Sequence, residues 1–302
     1  MSAVTTPTGV PSRTPDGAPG RIPQRIVARR RSGTQRALGA LRAALIVLVC
    51  AVISLPIIWM IAAAFKTNVQ VTDPTVGLVF TPTWENFQGV LADGALVHSF
   101  GNSMLIGVVS TALSVVVAVP AAWAVGRFRM RRTGSVVLVA RIVPAISLLV
   151  PWYYMFAQLG LVGSHLVLIL SHMFVSVPLI LWIMIGFFEG LPVELEDAAR
   201  TDGLSAFGAF LRIALPLAAP GTASAAVLAF IFSWNNFIFA LILADERTMT
   251  MPVLLFNFMS YASTDWGGLM AAATLMTVPV LLAAVFGQRY LVAGLTAGAT
   301  KG

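Results

Sequence analysis

Long apolar runs of similar length alternate with short polar segments along most of this chain. A helix needs about 20 residues to cross about 30 Å of hydrocarbon. Six runs reach that length: Ala43 to Phe65, Phe100 to Gly126, Ser135 to Phe156, Leu166 to Phe188, Gly221 to Ala244 and Gly267 to Phe286. None alternates with a period of two, which argues against a barrel of strands. The pattern predicts an all-α integral membrane protein with six transmembrane helices, and an even number puts both termini on one side. Composition agrees, with 58% hydrophobic and 10% charged residues and a mean hydropathy of +0.88, far from a soluble domain.

Basic residues orient the spans. Arg13, Arg21, Arg25, Arg29, Arg30, Arg31, Arg36 and Arg42 precede the first span, and Arg127, Arg129, Arg131 and Arg132 follow the second. Arg200 and Arg212 follow the fourth, and Arg289 and Lys301 follow the sixth, whereas only Lys66 and Arg247 fall on the other side. An excess of Lys and Arg marks cytoplasmic ends, so both termini are expected in the cytoplasm. The net charge of +7 is mostly this orientation signal and needs no nucleic acid to explain it.

Residues 1–40 differ from the rest, being rich in Thr, Pro, Gly, Ser and Arg without an apolar run, and are expected to form a disordered cytoplasmic tail ahead of a transmembrane domain over 41–302. The first apolar run, about 23 residues, exceeds the roughly 7 to 15 of a signal-peptide core, so it is read as a span. Cys50, the single cysteine, permits no internal disulfide and no thiolate metal site.

Between the fourth and fifth spans the chain turns polar. Glu194, Glu196, Asp197 and Asp202, four of its twelve acidic residues, fall within nine positions. Pro192 suits a first helical turn, the acids crowd the positive end of the helix dipole, and Gly203 is expected to stop the helix with a positive φ. Ser205 can cap a second helix in which Phe207, Phe210, Leu211 and Ala214 recur at helical spacing until Pro216 and Pro220 end it. The product is a helix-turn-helix outside the membrane. Leu195, Ala198, Ala199 and Asp202 share one face of its first helix, where the small alanines let another surface approach. Helices that rest on anionic lipid usually carry Lys and Arg, so this acidic one points to a protein partner.

The pattern ELEDAARTDG, a spacer, then LRIALPLAAP resembles the cytoplasmic loop of permease subunits of bacterial ATP-binding-cassette importers. FKTNVQVT after the first span, TPTWENF in the first outer loop, GNS opening the second span, RIVPAISLLVP in the third, SWNNF in the fifth and VAGLTAGATKG at the end agree with it. Together they resemble the six-helix permease of the maltose-type carbohydrate-uptake family (type I importer fold) over Leu41 to Gly302. The resemblance implies an assembly with a dimer of ATP-binding subunits, a second permease, an extracytoplasmic sugar-binding protein and membrane lipid around it. It implies that Glu194, Ala198, Ala199, Asp202 and Gly203 form the helix that couples to the ATPase, in a loop at about 189–220. It also implies that Gly294 to Gly302 reaches toward the ATPase dimer. The residues independently exclude an ATPase here, because neither Lys66 nor Lys301 follows a Gly-rich loop, so ATP and Mg are expected on the partner and no cofactor on this chain.

For the substrate route, the densest intramembrane polar set is Ser233, Trp234, Asn235 and Asn236. Amides and an indole suit sugar hydroxyls and rings, yet such groups equally bond neighbouring helices. On one continuous helix Asn235 and Asn236 would lie about 100° apart, so at most one faces the path. Arg141 sits near enough to a membrane face to snorkel. His165 and His172, about 10 Å apart on one helix face, cannot share a metal. Pro144, Pro151, Pro178 and Pro279 are read as kinks. A secondary transporter or channel and an importer of a non-sugar solute are the rival functions; the first leaves the acidic hairpin unexplained, and no span holds the Asp or Glu that proton coupling would want.

Overall fold

The computed structural model describes residues 33–299 except 93, 131, 133, 135, 137, 138, 140–143 and 260–263. The chain divides into two units, residues 1–53 and 54–302. Of the first, residues 33–53 are described and form helix, with the side chains from Leu41 to Ile53 exposed. They belong to α1 (Gly33–Ala64). Residues 1–32 of the expected tail lie outside the described residues, and Gly33 to Ala40 are already helical.

Among the described residues of the second unit, the helices before the last include α2 (Asn68–Thr72), α3 (Glu85–Ala92), α4 (Gly94–Arg127), α5 (Leu149–Gln158), α6 (His165–Glu189), α7 (Val193–Thr201), α8 (Ala206–Leu217), α9 (Ala219–Trp234), α10 (Ile238–Leu243) and α11 (Met251–Asn257). The last is α12 (Trp266–Ala299). No strand is present among the described residues, only an isolated bridge between Met259 and Thr264.

Four helices are long and apolar enough to cross a membrane: α1, α4, α6 and α12. A fifth span arises if α8 and α9, bent by 73° at their junction, are taken together. The expected first, second, fourth and sixth spans thus match single helices. The third does not, because Val136 and Val139 are helical but Pro144 is not, and helix resumes as a tight turn over Ala145–Leu148 that leads into α5. Arg141 lies outside the described residues. The expected fifth span is broken between Trp234 and Ile238. Pro178 and Pro279 do sit inside helices, but Pro144 precedes a helical turn and Pro151 lies in the first turn of α5, where no backbone bond is lost.

Side-chain bonds show how the central helices run. Asn102 meets His165 near the starts of α4 and α6, and Ser233 bridges Ser110 and His172 midway. Thus α4 and α6 run parallel and α9 runs against them. Close approach is enforced by small residues: a Cβ added at Gly221, near the start of α9, would come within 2.5 Å of Phe187 on α6. One core fills the end of this bundle that carries the polar hairpin, built from Ala122, Trp123, Met184, Phe188, Phe210 and Ala225. A second, around Ile106, Phe156, Leu168, Phe239 and Leu243, fills the opposite end. A third joins α3 and α11 to α12 through Val90, Met251 and Ala271.

Candidate functional site

The polar stretch folds as the expected hairpin. Pro192 precedes α7, Glu194 and Glu196 occupy its first turn, and Arg200 its last. Gly203 adopts φ +97°, with its N–H bonded to Arg200 O at 3.0 Å and the next N–H, of Leu204, bonded to Ala199 O at 3.1 Å. No atom lies within 4 Å of where its Cβ would stand, so the backbone, not space, calls for glycine. Ser205 caps the second arm by accepting from Gly208 N at 3.1 Å. That arm, α8, widens to a π turn over Phe210–Ala214, which buries Phe210 and Ala214 and leaves Phe207 and Leu211 exposed.

Two acids of the cluster meet Arg127, Glu196 buried and Asp197 exposed. Arg127, in the last turn of α4, donates from Nη2 to Asp197 Oδ1 at 3.0 Å and to Val193 O at 3.0 Å, and its Nε lies 3.5 Å from Glu196 Oε2. The same Glu196 oxygen accepts the indole N–H of Trp123 at 3.0 Å. Trp123 stacks obliquely on Phe210, ring centroids 4.9 Å apart, so α4 touches both arms of the hairpin. Sequence reading saw Arg127 only as an orientation signal and Glu196 only as a partner of the helix dipole. The spacing of Trp123 and Arg127, one turn apart where a span ends, was the available clue.

Of the residues expected to couple, Glu194, Ala198, Asp202 and Gly203 are exposed, whereas Ala199 is buried. Ala199 is thus enclosed within this chain, and the N–H of Leu204, in the turn, bonds its carbonyl. A groove of about 440 Å³ beside them is lined by Asp197, Arg200, Thr201, Leu204, Ser205 and Ala206.

The SWNNF motif falls on the break between α9 and α10, so Asn235 and Asn236 are not neighbours on a continuous helix as expected. Asn235 Nδ2 bonds back to Ile231 O at 2.8 Å, and Asn236 Oδ1 accepts from Phe239 N at 3.3 Å. Asn side chains that capture nearby backbone groups compete with the helical ladder, which is why the span breaks here. Ser233 and Trp234 are buried. Ser233 Oγ lies 2.6 Å from His172 Nδ1 and 3.1 Å from Ser110 Oγ, and Trp234 donates to Met276 O on α12 at 3.1 Å. Asn235 is exposed and Asn236 half-buried. Among the described residues no group of His, Cys, Asp and Glu is arranged to hold a metal.

A family model described as the binding-protein-dependent transport system inner membrane component matches residues 112–297, a stretch that contains both the hairpin and the break. The chain belongs to this family. The permease is 34% identical over 254 residues to the trehalose transport system permease protein SugB of Mycobacterium tuberculosis, covering 82% of this chain and 92% of that one. It is 36% identical over 258 residues to the trehalose/maltose transport system permease protein MalG of Thermococcus litoralis, covering 82% and 91%. With the diacetylchitobiose uptake system permease protein DasC of Streptomyces coelicolor it shares 32% over 252 residues, covering 82% and 91%. Its fold is that of a chain in the crystal structure of a bacterial ABC transporter that imports alginate, with a TM-score of 0.72 at 22% identity over 86% of this chain and 98% of that one.

At the end away from the hairpin, the permease staples residues 245–251 onto α4. Asn102 Nδ2 donates to Arg247 O at 3.0 Å and Met249 O at 2.9 Å, which leaves its Oδ1 to accept from His165 Nε2 at 2.9 Å. His98 Nε2 adds a bond to Arg247 O at 2.7 Å, and Ser103 Oγ accepts from Met251 N at 2.9 Å. Both histidines therefore carry the proton on Nε2, since their partners can only accept.

Proposed function

We propose that this permease is the membrane subunit of an ATP-driven importer of di- or oligosaccharides, lining the translocation path together with a second permease. The observation that carries it is the hairpin: a rigid polar helix, closed by Gly203 in the left-handed conformation, that presents Glu194, Ala198 and Asp202 outward from a chain of this family. Such a face fits a cleft on a separate ATP-binding subunit, which binds ATP and Mg and hydrolyses the nucleotide. Relatives named for trehalose, maltose and diacetylchitobiose support a carbohydrate. An extracytoplasmic binding protein delivers it, and the hairpin and both termini face the cytoplasm, in keeping with the distribution of arginines.

Within the break, Asn235 is our candidate for the sugar path, because its amide is exposed while Ser233 and Trp234 are enclosed by their own subunit. The test is purification of the tagged chain with its membrane partners, followed by uptake of labelled trehalose, maltose and diacetylchitobiose into vesicles loaded with ATP. Co-purification of an ATPase and ATP-dependent entry of a sugar are expected. A chain that purifies without any ATPase, or a complex that moves only a non-sugar solute, overturns the corresponding half of the proposal.

A further inference from the structure

We propose that α4 is fastened to the coupling hairpin by Arg127 and Trp123, so that displacement of the hairpin by the ATPase moves α4 with it. The inference rests on docking of the hairpin to an ATPase. The hairpin is covalently continuous only with α6 and α9, and α9 joins it through the 73° bend. No peptide connects it directly to α4. Yet α4 holds both arms, α7 through Val193 O, Glu196 and Asp197, and α8 through the Trp123 and Phe210 rings.

Burial makes this grip hard to open. The side chains of Arg127 and Glu196 are 13% and 8% exposed, against 56% and 54% for the neighbouring pair of Arg200 and Asp197. The latter is a surface pair that salt and water weaken. Pulling α7 from α4 would cost the Glu196 carboxylate both the indole and the guanidinium that now satisfy it, in a contact that salt and water screen far less than a surface pair. Motion of the hairpin therefore passes into α4 through this contact as well as along the chain.

The experiment uses the complex with its ATPase and second permease, in a Cys50→Ser background, with spin labels on Met130→Cys just past α4 and Thr201→Cys on α7, both at exposed positions. The distance between labels should be the same without nucleotide and after trapping with ATP and vanadate. In Arg127→Met the trapped state should show separated labels, the separated fraction rising about tenfold for the loss of one charge-assisted contact. Arg127→Lys should restore most of the invariance, which a general packing defect would not predict. Should Arg127→Met fail to assemble, Glu196→Gln removes the ion pair while leaving an acceptor for Trp123 and should separate the labels in the same way. A wild-type distance that changes on trapping, or variants as invariant as wild type, overturns the grip while docking stands. A wild-type chain that never retains an ATPase overturns docking, and the grip with it.

Discussion

Trp123 donates its indole N–H to Glu196 over 3.0 Å, joining the end of a long apolar helix to a carboxylate in the most polar stretch of the chain. That bond divides the acidic cluster by task. Glu196 and Asp197 face back to Arg127 and hold the hairpin on the bundle, and Glu194 and Asp202 face away and are free to meet another subunit. Four acids within nine residues thus serve two opposite directions of one short helix, as its period of 3.6 dictates.

Gly203→Val should detach the ATPase while leaving the permease in the membrane. A β-branched residue at φ +97° costs about 1–3 kcal/mol of strain, and the chain can relieve it by re-routing the turn that aims α7. Gly203→Asn, which tolerates this conformation, should keep most of the binding. Pull-down of the ATPase with each variant is the check, and equal retention by Val and Asn would show that the turn does not set the docking geometry.

Lys66→Met should loosen the loop at 73–80. Lys66 is 1% exposed, and its ammonium donates to Val76 O at 3.1 Å and Gly77 O at 2.7 Å while lying 4.5 Å from the Trp59 ring and 4.9 Å from that of Phe80. Methionine fills similar space but leaves two carbonyls without their donor, a loss of about 1–3 kcal/mol. Faster proteolysis within this loop, with insertion unchanged, is the expected result; an unchanged cleavage rate would mean that the aromatic contacts alone hold it.

Hydropathy made four spans legible because each needs only an uninterrupted apolar run, and Ser205 and Gly203 were legible because caps act locally. The break at Asn235 was not, since the same residues in a continuous helix would satisfy every average and only the side-chain bonds to Ile231 O and Phe239 N decide against it. The burial of Ala199 was not legible for a related reason: helical spacing assigns a shared face but not what covers it. The roles of Arg127 and Asn102 depend on partners 66 to 70 and 145 to 147 residues away, which periodicity does not register.

Cysteines placed at Val79 and Phe207 in a Cys50→Ser background should react with impermeant reagent from opposite sides of the membrane. Val79 and Phe207 are 95% and 57% exposed, so neither label has to open the fold. On the arginine distribution Val79 is expected outside and Phe207 inside. Intact cells should therefore label only the first, with the second appearing after permeabilisation. Labelling of both from one side would require a different number of crossings between them.

Asn235→Ala and Ser233→Ala should part company, although only Trp234 separates them. Ser233 is buried between His172 Nδ1 and Ser110 Oγ, and its hydroxyl links α9 to both α6 and α4. Removing it leaves two enclosed polar groups short of a partner, a cost of about 1–3 kcal/mol. His172 is especially exposed to this loss because its Nε2 already has no partner. The yield of folded complex should fall, and the apparent transport constant of what remains should stay near wild type. The Asn235 amide donates to Ile231 O of the helix it caps and is exposed, so its loss should leave yield intact. If its amide meets a sugar hydroxyl, uptake should need several-fold more sugar to half-saturate, as expected for about 1 kcal/mol of hydrogen bonding. Complex yield and concentration-dependent uptake, measured on both variants, separate the two roles. Unchanged uptake in Asn235→Ala at normal yield would place the sugar contact outside the break, on another part of this subunit or on its partner.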